Sequence, residues 1–129
     1  MTDLRHVEKM WADDVASRAL GMLLLDLGLD HARVQMTISP AMVNGHGIAH
    51  GGYLFTLADS AFSLACNSRG RLTVAAGADI NFVAVARLGV IVAGALHRLD
   101  PDDPATADRR EHTTRLIHLL AVAAEAEVG

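Results

Sequence analysis

The order of hydrophobic patterns predicts an α+β domain in which one long helix packs on an antiparallel sheet. Three stretches carry that expectation. Ala32, Val34, Met36 and Ile38 alternate with Arg33, Gln35, Thr37 and Ser39, the period of a half-buried strand. Leu54, Leu57, Ala58, Ala61, Phe62 and Ala65 recur at helical spacing across residues 53–67. Val74, Ala76, Ala78, Ile80 and Phe82 then alternate with Thr73, Ala75, Gly77, Asp79 and Asn81, predicting a second half-buried strand.

The remaining elements follow in chain order. Leu4, Val7, Trp11 and Val15 sit three or four residues apart with acids between them, which predicts an amphipathic first helix. Residues 22–29 are apolar and bounded by Gly21 and Gly28, like a short strand. Pro40 ends the strand 32–39, and the loop NGHGIAHGG, residues 44–52, opens directly into the long helix. Arg69-Gly70-Arg71 punctuates the helix end, and residues 90–96 read as a strand apolar on both faces. Residues 99–115 lose all alternation and carry two prolines and five acids. Residues 116–127, rich in Ala and Leu, are expected to form a terminal helix. The expected organisation is therefore one domain over 1–98 and an atypical loop and helix over 99–129.

A length of 129 residues suits one domain, and 51% hydrophobic residues argue for a packed core. With only 4% aromatics and a net charge of -4, the chain lacks stacking platforms and a basic face, so nucleic acid is not an expected partner. The apolar run 83–96 contains Arg87 and is too short to cross a bilayer as a helix, so no membrane partner is expected either. The start, MTDLRHVEKMW, lacks the apolar core of a secretion signal, and Cys66 is the single cysteine. A reducing cytoplasm is the expected setting.

Chemistry concentrates around the helix 53–67. Gly51 and Gly52 let a ligand approach the backbone at its start, where free N–H groups and the helix dipole favour a developing oxyanion. Taken alone, these glycines better suit an ordinary turn before a helix. Asp59 adds weight, because it sits between Phe55 and Phe62 on a largely apolar face. A carboxylate there needs a partner or a task, and desolvation raises its pKa toward a general-base range. Asp59 lies eight residues beyond Gly51, about 12 Å along a helix. One carbonyl cannot touch both on the same helix, so joint action predicts a site shared across a two-fold dimer.

His46 and His50 flank glycines rather than sharing a helical face, so no metal site is expected. His50 suits orienting water or simply bonding within the loop. Asn44 suits holding a carbonyl or water, or a turn before Gly45. Cys66 has no neighbouring base in the sequence and reads as packing. Arg69 and Arg71, with Arg87 behind them, are candidate contacts for an anionic ligand.

The stretch MVNGHGIAHGGYLFTLADSAFSLACNSRG, residues 42–70, followed by AAGADINF, residues 75–82, resembles the hotdog-fold thioesterases of the phenylacetate-degradation type. The resemblance implies a long helix wrapped by an antiparallel sheet. It implies Asp59 as catalytic carboxylate, Gly51 as backbone donor to the carbonyl, and Asn44 and His50 as supporting residues. It further implies hydrolysis of acyl- or aryl-coenzyme A thioesters with no cofactor, in a homodimer or dimer of dimers. After Phe82 the likeness lapses. Val83-Ala84-Val85-Ala86 and Gly89-Val90 replace a Leu-Arg-Pro-like turn and a Gly-Asp pair, and a final pair of alternating strands is not legible. An aberrant tail, such as a frameshifted reading, is the expectation that sequencing the parent gene would test. Two alternatives stand beside the hydrolase. A hydratase or dehydratase of the same fold would want a His-Phe-Pro-Gly-like loop, which is missing. A non-catalytic oligomeric acyl-coenzyme A binder would keep its affinity after Asp59→Ala.

Overall fold

The computed structural model describes residues 3–75, 77–97, 113–114 and 117–124. Two short helices lead in, α1 (Arg5–Asp13) and α2 (Val15–Ala19), with Asp14 capping the second by accepting a hydrogen bond from the Ser17 N–H. The amphipathic first helix expected from Leu4 to Val15 is thus broken at Asp14, and Val7 is its buried anchor. Strands β1 (Leu23–Gly28) and β2 (His31–Ile38) form a hairpin, turning through Asp30 at a φ of 62°. Asp is among the few non-glycine residues that tolerate this left-handed geometry.

Helix α3 (Gly51–Asn67) follows the glycine-rich loop. It starts two residues before the expected Tyr53, because the His50 ring accepts the Gly52 N–H and caps the first turn. Leu57, Ala58, Ala61 and Ala65 are almost wholly buried. Of these, Leu57, Ala61 and Ala65 lie with Val34, Met36 and Ile38 of β2 and with Ile91, Ala93 and Ala95 of β4 (Gly89–His97) in one core. β2 shows the expected alternation, and β4 buries Ile91, Val92 and Ala93 in succession, as a strand covered on both faces does.

Two expectations are corrected. The alternation over 74–82 yields only β3 (Val74–Ala75), which pairs in parallel with β5 (Thr113–Thr114); the described residues from 77 to 88 form no strand. Alternation supplies an apolar face but no neighbour. Ile80, Phe82, Val83 and Val85 remain exposed on the single chain. The terminal helix expected over 116–127 is instead β6 (Ile117–Ala124), antiparallel to β4. The open edge of β4 needs partners for its N–H and C=O groups, and that tertiary demand outweighs the helix propensity of an Ala- and Leu-rich run. The main sheet therefore runs β1-β2-β4-β6. Of the irregular stretch expected over 99–115, only Thr113 and Thr114 are described, and they form β5; the rest lies outside the described residues.

Candidate active site

The loop before α3 is shaped by Asn44. Its Oδ1 accepts the His46 N–H at 2.9 Å, its own N–H donates to the Ile48 carbonyl at 2.8 Å, and Val43 bridges Ala49. His50 N–H donates to the Met42 carbonyl at 2.8 Å, fixing the entry into the helix. The His50 Nδ1 accepts the Gly52 N–H at 3.1 Å, so the neutral ring carries its proton on Nε2, a free donor at the mouth of the helix. The Gly51 N–H has no acceptor among the described residues. It is the open amide of this helix start.

Farther along α3, Asp59, Phe62, Ser63 and Cys66 share one face at helical spacing. Together with Thr73, Val74 and Ala75 they line a cleft of about 290 Å³. The wall opposite the helix is clamped by Asn67, which is fully buried. Its Nδ2 donates to the Thr73 carbonyl and its Oδ1 accepts the Thr73 N–H, both at 2.8 Å. The Asp59 carboxyl keeps an open side toward solvent. Desolvation by its neighbours nevertheless pushes its pKa above 3.8, with the charge of Asp14 adding to the rise. That is the state of a carboxylate suited to taking a proton.

The sequence-predicted residues fall into three groups. Asp59 lines the cleft, and Gly51 presents its amide at the helix start. Asn44 and His50 build the loop between strand and helix, with Asn44 Nδ2 and His50 Nε2 making no hydrogen bond among the described residues. Gly52 and Arg69, expected to contact substrate, are engaged within the chain. Gly52 spends its N–H on His50, and Arg69 holds Asp30 through Nε at 2.9 Å and Nη2 at 2.6 Å. Arg71 is exposed and makes no ion pair among the described residues. Among those residues, too, no three His, Cys, Asp or Glu side chains gather where a metal ion would sit. Sequence reasoning missed Ser63 and Thr73 as lining groups and Asn67 as the clamp. Their one signal was the distance of four residues from Asp59 to Ser63, which places both on the same face of the helix.

Comparison with known proteins bears on the family and the fold. The family model of the thioesterase superfamily matches residues 46–96, spanning the helix and β4. Acyl-coenzyme A thioesterase PaaI of Escherichia coli (strain K12) is 40% identical over 79 residues, covering 61% of this chain and 56% of PaaI. A putative esterase of Deinococcus radiodurans is 42% identical over 73 residues, 57% of this chain and 49% of that protein. The chain thus matches about half the length of these curated relatives. Among solved structures, the PaaI protein of the E. coli phenylacetic acid degradation operon superposes with a TM-score of 0.72 at 36% identity, covering 76% of this chain and 72% of that one. The TT0310 protein of Thermus thermophilus gives a TM-score of 0.63 at 37% identity, covering 67% and 75%. The chain belongs to the thioesterase superfamily, and its long helix packed on an antiparallel sheet is the hotdog fold.

Proposed function

We propose that the protein hydrolyses acyl- or aryl-coenzyme A thioesters, phenylacetyl-coenzyme A being the model substrate, in the cytoplasm and as a homodimer or dimer of dimers. One observation carries the reading. A carboxylate with a raised pKa lines a cleft of about 290 Å³, while the start of the same helix presents an amide without an acceptor. Asp59 takes a proton from water, the hydroxide adds to the thioester carbon, and the carbonyl oxygen becomes an oxyanion. The Gly51 N–H holds that oxyanion, a donor of a kind worth about 3 kcal/mol to the transition state. Collapse breaks the C–S bond and releases the coenzyme A thiol and the acid. Direct attack by the carboxylate on the thioester, followed by hydrolysis of the anhydride, uses the same groups.

Two copies are needed, because the residues stand eight apart on one helix, about 12 Å along its axis. The exposed apolar residues Val74, Ile80, Phe82, Val83 and Val85, running on from the cleft wall, support burial against a second copy. His50 Nε2 and Asn44 Nδ2 are the donors left to orient water or thioester. Arg71 and Arg87, both exposed and outside any ion pair among the described residues, are the cations left to meet coenzyme A phosphates. Thiol release from phenylacetyl-coenzyme A, measured beside hydration of an enoyl-coenzyme A, tests the assignment. Thiol release that is lost in Asp59→Asn is the expected result. Hydration without thiol release, or affinity for the thioester without turnover, would overturn it.

A further inference from the structure

Helix α2 is tied to α3 by a chain of oxygens that ends one residue from Asp59. The Asp14 carboxylate accepts the Ser17 N–H at 2.9 Å and the Ser17 hydroxyl at 2.6 Å. The same Ser17 Oγ lies 2.7 Å from the Ser60 Oγ. An ionised carboxylate only accepts, so the Ser17 proton points at Asp14 and Ser60 must donate to Ser17. The chain therefore has a fixed direction, from Ser60 on α3 through Ser17 to the charge on Asp14. Ser17 is 2% exposed, so water does not compete for these bonds. A helix cap requires one of them; of the other two, one aligns the Ser17 hydroxyl on Asp14 and one crosses to Ser60, in the turn that bears Asp59.

The charges around Asp59 are few. α3 has only Tyr53 and Cys66 as further ionisable side chains, six residues before and seven after, and the wall Thr73–Val74–Ala75 has none. On α1, Arg5 is paired with Asp3 and Lys9 with Asp13, Glu8 is exposed, and His6 Nε2 lies 3.2 Å from Asn67 Oδ1 at the far end of α3; on α2 the Arg18 guanidinium donates to the Ala12 carbonyl. Asp14 is left as the charge whose field reaches Asp59.

We propose that Asp14 is a positioning residue for Asp59: through Ser17 and Ser60 its carboxylate holds the α3 turn that carries Asp59, and it keeps a second negative charge beside the cleft. This rests on the reading of Asp59 as the acting carboxylate. The neighbouring charge keeps Asp59 a stronger base at neutral pH, and the oxygen chain stops the turn from drifting.

The test combines carbon-13 NMR titration of the Asp59 carboxyl with the pH profile of kcat/KM for phenylacetyl-coenzyme A, on the full chain. Asp14→Asn keeps an oxygen to cap the Ser17 N–H, but it removes the charge and puts a donor where the Ser17 hydroxyl had an acceptor, so it is read beside Ser60→Ala. It is expected to move the Asp59 midpoint to lower pH, to carry the acidic limb of the profile with it, and to lower the plateau several-fold as the base weakens. Ser60→Ala keeps the charge and cuts the chain. Its expected result is a several-fold loss of kcat with the limb in place. An Asp59 midpoint unmoved by Asp14→Asn, or full kcat in Ser60→Ala, overturns the proposal. A wild-type chain that hydrolyses no thioester would sink the functional reading instead, while the NMR midpoint still decides the coupling to Asp14.

Discussion

The ring of Phe82 rests on Gly51, so close that a β-carbon at that position would come 3.1 Å from Cζ and 3.2 Å from Cε1. Gly51 is also the first helical residue, preceded by His50 in an extended conformation at φ -61° and ψ 130°. Proline suits that position, because its ring matches the first helical residue and its predecessor is already extended. Gly51→Pro therefore removes the amide hydrogen while keeping the helix start. The contact is with the far end of the Phe82 ring, which has to give by only a few tenths of an ångström. The expected result is a melting temperature within a few degrees of wild type and a kcat lower by about 10²–10³. Gly51→Ala, which keeps the N–H, is expected to lose less. Steady-state kinetics beside a thermal melt check both.

Asp59→Asn is expected to lower kcat by about 10³ or more, since the variant can neither take a proton nor attack. The pH dependence has a definite sign. Desolvation first and Asp14 second raise the Asp59 pKa above 3.8, so wild-type activity should fall on acidification through that raised value. The folded chain also binds the Asp59 proton more tightly than the unfolded chain does. Its contribution to stability is therefore full below 3.8 and is lost as pH rises through the folded value. Asp59→Asn should consequently be as stable as wild type or more so at pH 7, and should give up that advantage in acid. Urea denaturation at the two pH values measures it.

Arg69 and Arg71 are two residues apart yet predict different phenotypes. Burial alone would push the Asp30 carboxyl up. Hydrogen bonds from Arg69 and from the buried His97 more than offset it and hold the pKa below 3.8. Arg69→Ala is expected to cost about 1 kcal/mol, a modest value because the guanidinium is partly solvated. A lowered carboxylate pKa gives stability that is present above 3.8 and lost as pH falls through the folded value, so this cost should shrink in acid. Arg71→Ala should leave stability alone and raise KM several-fold, with the difference fading at high salt. Denaturation curves and KM at two ionic strengths separate the pair.

Asn67→Ala removes both partners of Thr73 from a buried position. A loss of about 2 kcal/mol or more is expected, since the Thr73 N–H and C=O are left to find water or go unpaired. The cleft wall should loosen with it, raising KM more than it lowers kcat. Chemical denaturation with parallel kinetics checks the two effects together.

What the sequence made legible were features that depend on local period. β2 shows the alternation read from Ala32 to Ile38, and α3 buries the stripe read from Leu54 to Ala65. Pairing was not legible. The alternation at Val74 to Phe82 is as clean as that of β2, yet β2 gains neighbours on both sides whereas residues 77–82 gain none among the described residues. Residues 117–124 read as helix by composition and became a strand because β4 had an open edge. At the site, the sequence brought Asp59 and Gly51 forward through their own chemistry. The engagement of Arg69 by Asp30 and of Ser60 by Ser17 spans 39 and 43 residues of chain, respectively, and no local pattern encodes such contacts.

The central claim is that the oxyanion donor and the carboxylate of one site come from different copies. Mixing Asp59→Asn and Gly51→Pro chains tests it directly. Each variant alone lacks one half of both sites. A hybrid dimer pairs the intact Gly51 of one chain with the intact Asp59 of the other, restoring one site of two. With equal mixing, half the dimers are hybrids, so thioester hydrolysis should recover to about a quarter of the wild-type rate. A mixture no more active than its two components would contradict the shared site.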